Sequence, residues 1–413
     1  MTTRERQGWT IVASMFVTLC FIFGSGYNTG TLFFPQLVHQ FGWTHARTAW
    51  LTSALAISAG FSAPLVGWLL DRIEARIVMA VGAALSGAAF LVASQSHSFM
   101  PMLIAYLVLG LGIGAATLLP AALVIANWFG ARRGIAMGVT FAGTSLGGAA
   151  MIEIGNLAIL HFGGWRAGYL VLALPMFVVV IPLVLIMIRT RPPETRELSV
   201  QASADALPGL ELSEALGTRS FWMIAFGQFL YACVAAASGL HLVSYLLGLG
   251  YSESFGAMIA SLALALAAAG KLLMGTVSDR VSPRFALAAN FIVQGIAMLL
   301  ALSIGKSAMV PVFVLLYGLT LGAPLVLIPL LTADSLGLKR FGTIGGVAGV
   351  FNTIGAAVGP VAAGRIFDIT GSYALAFEIF AVLCVVGAAV TLACRNLDAE
   401  QARIATAAAK SAA

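Results

Sequence analysis

Apolar runs dominate the chain, and polar positions serve mainly to punctuate them. Split at charged residues, Pro/Gly pairs and polar clusters, the sequence yields twelve stretches of about 20 residues or more. They cover 9–35, 45–70, 77–95, 99–126, 134–160, 166–189, 219–247, 254–278, 284–303, 309–333, 341–367 and 373–394. An α-helix rises about 1.5 Å per residue and crosses about 30 Å of hydrocarbon in about 20 residues. Each stretch therefore predicts one membrane-crossing helix. The connectors are short except residues 190–218, TRPPETRELSVQASADALPGLELSEALGT, which are polar, contain Pro and mix both charge signs. This linker, with one amphipathic turn predicted near Leu210–Leu216, separates residues 1–189 from residues 219–394. A short tail follows at 395–413.

Composition turns this pattern into a class. The 413 residues are 60% hydrophobic and 9% charged, against about 25% charged in a soluble domain. A soluble fold of this size leaves too much surface outside to hide so many apolar side chains. That excludes a soluble enzyme, a secreted disulfide scaffold and a disordered chain. The 45 glycines fit closely approaching membrane helices. Cys20, Cys233, Cys384 and Cys394 all lie in apolar stretches, without disulfide or zinc spacing. The first apolar run is too long for a cleavable leader and lacks a small-residue cleavage site. The fold expected is an all-α polytopic membrane protein with twelve transmembrane helices.

The net charge of +6 is explained by topology. Of the 22 basic residues, Arg47, Arg166, Lys306 and Arg365 fall on one side, Lys271 falls inside a span, and the other 17 fall on the opposite side. Basic residues in short loops mark the cytoplasmic face, which places both termini and the linker in the cytoplasm. No basic face interleaved with aromatics points to nucleic acid.

The two halves repeat. Gly67-Trp68-Leu69-Leu70-Asp71-Arg72, followed by Arg76, recurs 208 residues later as Gly275-Thr276-Val277-Ser278-Asp279-Arg280, followed by Arg284. Gly110 and Gly114 map to Gly318 and Gly322 at the same offset, and Thr144-Ser145-Leu146-Gly147 maps to Asn352-Thr353-Ile354-Gly355. Six helices lie within the offset, so the halves run in parallel as two pseudo-symmetric six-helix bundles. Repeats of this kind are typical of transporters whose halves move about a site near the midplane.

With these residues in view, the chain resembles the major facilitator superfamily. The family signature between the second and third helices stands here as GWLLDRIEAR, with Glu74 in place of the usual glycine, and again as GTVSDRVSPR. The resemblance implies a cytoplasmic latch formed by Asp71, Arg72, Arg76, Asp279, Arg280 and Arg284; a surface turn with capping charges is the plainer reading. Trp128-Phe129-Gly130-Ala131-Arg132-Arg133-Gly134, Gly164-Trp165-Arg166, Phe33-Phe34-Pro35 with Phe41-Gly42-Trp43, and Gly359-Pro360 followed by Ala363 to Tyr373 look like the monocarboxylate transporter branch. That branch includes the oxalate/formate antiporters, and these motifs do not separate the two.

Ionisable groups at membrane depth cost roughly 2.5–3.5 kcal/mol on insertion scales and are functional candidates by default. Lys271 precedes Asp279 by eight residues, about 12 Å from the cytoplasmic end and close to the midplane. Its sequence neighbours, LALALAAAG before and LLMG after, contain no carboxylate. It suits a substrate carboxylate; the alternative is a structural pairing with Glu153 or with carbonyls. Monocarboxylate transporters normally carry arginine at this point, often with aspartate one turn earlier, where this chain has Lys271 and Ala267. Lysine is a point charge and lacks the bidentate fork of arginine.

His241 lies in the outer part of the seventh span, as a substrate ligand, a proton donor or a packing residue bonded to a carbonyl. Glu153, in the outer part of the fifth, either couples protons with His241 or sits inert at headgroup level. The resemblance favours Tyr27, Asn28, Thr117 and Asn352 as cavity-lining, and Tyr231 joins them near the midplane. Thr144 and Ser145 are weaker candidates, because Ser and Thr often bond their own helix backbone, and Gln294 is weaker because the resemblance makes the ninth helix peripheral. Tyr317 and Phe351 suit an apolar wall or simple packing.

The reading that results is a monomeric secondary transporter of small monocarboxylate anions in a bacterial inner membrane, working by alternating access with proton symport. Organic anion exchange of the oxalate/formate type, or carriage of a larger carboxylic or sugar acid, are the alternatives. No cofactor and no metal is expected, and no clustered catalytic groups point to an enzyme.

Overall fold

The computed structural model describes residues 3–130, 132–192, 208–305 and 307–412. Linker residues 193–207 and Lys306 lie outside the described residues. Among the described residues the chain is helical. Eleven helices are long and apolar enough to cross a membrane: Glu5–Asn28, Arg47–Leu70, Ala75–Gln95, Phe99–Trp128, Arg133–His161, Trp165–Met187, Arg219–Gly248, Met258–Ser278, Pro283–Ala301, Phe341–Thr370 and Ala374–Leu392. The pair Val310–Gly322 and Pro324–Leu336, bent by 41°, supplies a twelfth crossing. Below, the crossings are spans 1 to 12 in chain order, the bent pair being span 10.

The polar punctuation of the sequence starts and stops these helices. Thr44, Thr218 and Ser252 each accept a backbone N–H three residues on, from Arg47, Phe221 and Phe255, at 3.2–3.3 Å. These are side-chain caps for amides that have no partner inside the helix. Gly371 ends span 11 with φ of 70°, in the left-handed region that glycine enters at little cost.

The chain forms two compact units. One comprises Met1–Gly130, Val139–Ala204 and Gly345–Val347; the other comprises Ala131–Gly138, Asp205–Ile344 and Ala348–Ala413. In the first unit span 4 packs on spans 2 and 3, and span 3 on span 6. In the second, span 10 packs on span 8, and span 12 on spans 7 and 9. The glycines of the 208-residue repeat lie at these seams. A Cβ at Gly114 would stand 2.7 Å from Ser62 Oγ, and one at Gly318 would stand 2.6 Å from Leu266 Cβ. Spans 4 and 10 approach spans 2 and 8 this closely because no side chain intervenes.

Four expected spans depart from a regular α-helix: span 4 breaks at Thr117, span 6 winds as a π-helix at Met176–Val180, and the first and tenth change further. The first stretch, expected over 9–35, winds as a π-helix at Gly24–Asn28 and then starts a separate helix, Gly30–Phe41. At the start of the π-helical turn Gly24 abuts span 5, where a Cβ would sit 2.6 Å from the Gly147 carbonyl carbon. The tenth, expected as one helix over 309–333, breaks at Ala323 because Pro324 has no N–H and cannot continue the ladder. The linker turn near 210–216 is a short helix, Leu212–Leu216, closed by a Glu211/Glu214 capping box. The tail, expected only as a tail, is a helix at Leu397–Ala412.

Candidate functional site

In the second unit, Lys271 is 3% exposed on span 8. Its backbone carbonyl lies against Gly138, where a Cβ would stand 2.6 Å away. Its side chain runs alongside the span 10 break: a Cβ at Gly322 would stand 2.9 Å from Lys271 Cε. Tyr231 reaches the same place from span 7, its hydroxyl donating to the Leu321 carbonyl at 2.9 Å. Lys271 and Tyr231 therefore converge on adjacent residues of span 10.

His241 does not join them. It lies ten residues beyond Tyr231 on the same helix, about 15 Å along the axis. One ring nitrogen, Nε2, is 3.1 Å from the Pro360 carbonyl, and Nδ1 is 3.0 Å from the Tyr373 hydroxyl. A carbonyl only accepts, so Nε2 carries a hydrogen and donates to Pro360, while Nδ1 and the Tyr373 hydroxyl share the second hydrogen bond. Asn352 is half-buried on span 11. Beside it, Phe351 meets Trp222 edge to face at 6.0 Å. Tyr317 is fully buried, its hydroxyl 3.1 Å from Ser238 Oγ. It packs the interior of the unit.

In the first unit, Tyr27 is 40% exposed at the end of the π-helical turn and stacks on Phe23 at 4.8 Å. Asn28 packs over Gly148 of span 5, where a Cβ would lie 2.8 Å from its Cγ. Thr117 is buried at a break within span 4, where its backbone leaves helical angles (φ −119°, ψ −108°), and its hydroxyl donates to the Ile113 carbonyl at 2.7 Å. Thr144 also donates to its own helix, to Phe141 at 2.8 Å. Glu153 is exposed on span 5.

The two signature segments differ in detail. The Asp279 carboxylate accepts the N–H groups of Gly134 and Ile135, at 2.6 and 2.9 Å, at the first turn of span 5. A carboxylate there satisfies two orphan amides and faces the positive end of the helix. Asp71 ends span 2, its N–H donating to the Gly67 carbonyl at 3.1 Å. Arg72 lies over the Trp68 ring at 3.9 Å, and Arg284 over Phe285 at 4.6 Å. Arg76 is half-buried and Arg280 exposed. Glu74, which replaces the usual glycine, accepts from the Thr190 hydroxyl at 3.0 Å, and Thr190 Oγ accepts the Ala75 N–H at 2.7 Å.

Several functional-looking residues leave little trace in the sequence. Asn290 on span 9 donates to the Thr320 carbonyl at 3.3 Å. Glu211 in the linker pairs with Lys339 at 3.3 Å and Arg340 at 2.8 Å, and the Arg340 hydrogen bond holds its carboxyl below the usual range. Residues flanking Gly209 and Gly337 exchange two backbone bonds, Leu210 N–H to Leu336 and Leu338 N–H to Pro208. Among the described residues, no group of three His, Cys, Asp or Glu side chains could hold a metal ion.

A profile of the Major Facilitator Superfamily matches residues 15–304 and 248–411. The chain belongs to this superfamily. It is 25% identical over 403 residues to monocarboxylate transporter 4 of Gallus gallus, covering 94% of this chain and 82% of that one. It is 26% identical over 410 residues to the uncharacterized MFS-type transporter YcxA of Bacillus subtilis, covering 95% and 96%. Among solved structures, the superfamily transporter FucP in its outward conformation aligns with a TM-score of 0.67 at 18% identity, over 91% of this chain and 97% of that one. A major facilitator fold, and a transporter in place of an enzyme, follow from these matches.

Proposed function

We propose that this transporter is a secondary carrier of small organic monocarboxylates, with the Lys271 ammonium receiving the substrate carboxylate. The observation that carries the reading is the burial of Lys271 at 3% exposure beside the broken span 10. An ionisable group at membrane depth is a functional candidate by default, and an ammonium there can receive an incoming carboxylate. Relatives named monocarboxylate transporters, aligned over nearly the whole chain, support the substrate class. A single ammonium neutralises one carboxylate, which favours monoanions over dianions.

In this reading the carrier sits in a bacterial plasma membrane with both termini in the cytoplasm. It works by alternating access, with Asp279 on the first turn of span 5 as part of the cytoplasmic latch. Substrate shifts the equilibrium between states by its differential affinity for them. Protons are the coupling ion, His241 and Glu153 being the titratable candidates, and Tyr27, Asn28, Thr117 and Asn352 are the further substrate-binding candidates.

Counterflow in proteoliposomes tests this. Labelled lactate should accumulate without ATP and should fail to do so in Lys271→Ala; equal uptake by the variant overturns the assignment. External alkalinisation on adding lactate marks proton symport. Uptake that needs internal anion and moves no protons marks exchange in its place.

A further inference from the structure

Three consecutive residues of the span 10 break are each held by a different neighbouring span. Thr320 receives Asn290 of span 9, Leu321 receives Tyr231 of span 7, and Gly322 lies against Lys271 of span 8. The chemistry of the break explains the first grip. Pro324 has no N–H to offer the Thr320 carbonyl four residues earlier, so that acceptor is free for the Asn290 amide. Beyond the break the ladder restarts out of step, with the Val326 N–H bonding Ala323 where a regular helix would use Gly322. Backbone groups released inside a membrane protein must find side-chain partners, and Tyr231 serves the Leu321 carbonyl. Both donors are buried, Asn290 at 2% and Tyr231 at 7% exposure.

We infer that Asn290 and Tyr231 are positioning residues: they hold the span 10 break in the geometry that leaves room beside Gly322 for the Lys271 side chain, and so set where the ammonium meets the carboxylate. The inference rests on the proposed role of Lys271 and gives Tyr231 a different task from contact with substrate. Position 322 has to be glycine in this arrangement. A Cβ there would press on Lys271 Cε at 2.9 Å and on the Ala267 carbonyl oxygen at 2.5 Å. If either grip is lost, the residues before the break are free to shift and the lysine moves with them. Asn290 acts from span 9 through the Thr320 carbonyl alone, so a substrate effect at this position would be indirect.

The sequence contains four lysines, which makes the test direct. In detergent-solubilised full-length protein labelled with 13Cε-lysine, the signal lost in Lys271→Arg identifies Lys271. Tyr231→Phe and Asn290→Leu should each shift that signal while leaving those of Lys306 and Lys339 in place. In proteoliposomes both should raise the KM for lactate about fivefold, the equivalent of one lost hydrogen bond, with Vmax changed less than about twofold. An unmoved Lys271 signal in Tyr231→Phe, or a fall in Vmax with KM unchanged, overturns the inference. Tyr231→Phe removes one hydroxyl only and carries the test if Asn290→Leu does not fold. Lactate added to the wild type separates the two ideas. If the Lys271 signal ignores lactate but shifts in the variants, lysine is not the anion ligand and the positioning role stands.

Discussion

Removing Ser220 should loosen the tail helix more than removing the carboxylate it serves. Glu400, on the helix Leu397–Ala412, is completely buried. Its Oε1 accepts from the Ser220 hydroxyl at 2.6 Å and from the Ser220 N–H at 3.3 Å, at the first turn of span 7. Its Oε2 has no hydrogen-bond partner among the described residues. Ser220 Oγ also accepts the Arg395 N–H at 2.9 Å. Ser220→Ala therefore strips the short bond from a buried carboxylate and orphans a backbone amide as well. Losing a hydrogen bond to a buried carboxylate costs about 1.5–3 kcal/mol, and the orphaned amide adds about 1–3 kcal/mol. Glu400→Ala removes the charge together with its desolvation penalty, and frees the serine hydroxyl to turn toward the Arg395 carbonyl, 3.4 Å away. That loss is about 1–2 kcal/mol. The difference of about 2 kcal/mol is roughly a thirtyfold gap in the docked population. Hydrogen exchange across residues 397–412 in detergent measures it, with exchange in Ser220→Ala faster than in Glu400→Ala by about that factor. Equal rates, or the reverse order, refute the reasoning that the serine is the carboxylate's principal support.

Two more outcomes follow from cytoplasmic contacts. Asp279→Ala strands the Gly134 and Ile135 amides, costs about 1.5–3 kcal/mol, and should raise alkylation of an Ile135→Cys reporter at least tenfold; an unchanged rate would show that the carboxylate does not restrain this turn. Glu211 has its carboxyl pKa lowered, chiefly by Arg340. Its contribution to stability is thus present above the ordinary carboxylate range and lost as pH falls through the lowered value. The side chain is 35% exposed, so the effect stays below about 1 kcal/mol, and thermal melts of Glu211→Gln should converge with wild type in acid.

The crossings were legible because bilayer thickness demands long apolar runs, and Pro, Gly and charge interrupt them. The seams were legible because Gly110, Gly114, Gly318 and Gly322 repeat at one spacing. Lys271 stood out as a charge in an apolar run. Tyr231 was legible as a polar group near the midplane, but its bond to the Leu321 carbonyl and that of Asn290 to Thr320 were not, since composition does not record which carbonyls the Pro324 break releases. His241 was visible as a polar group, but Tyr373 and Pro360, more than a hundred residues away, decide what its ring nitrogens do. Glu400 was hidden because an Ala-rich tail helix reads as solvated until Ser220 is placed beneath it.

Residues 132–138, which lead into and begin span 5, group with the second compact unit, and residues 345–347 of span 11 group with the first. For anyone recombining such transporters, the obvious crossover in the linker is therefore the wrong place to cut. A chimaera joined at 190–218 would pair Asp279 with a relative's first turn, and Gly275 with a foreign residue where Gly134 now lies against its backbone. Grafts should carry residues 132–138 with spans 7 to 12 and residues 345–347 with spans 1 to 6. Inherited substitutions at 134 and 138 should track those at 271, 275 and 279 more closely than those of their own half.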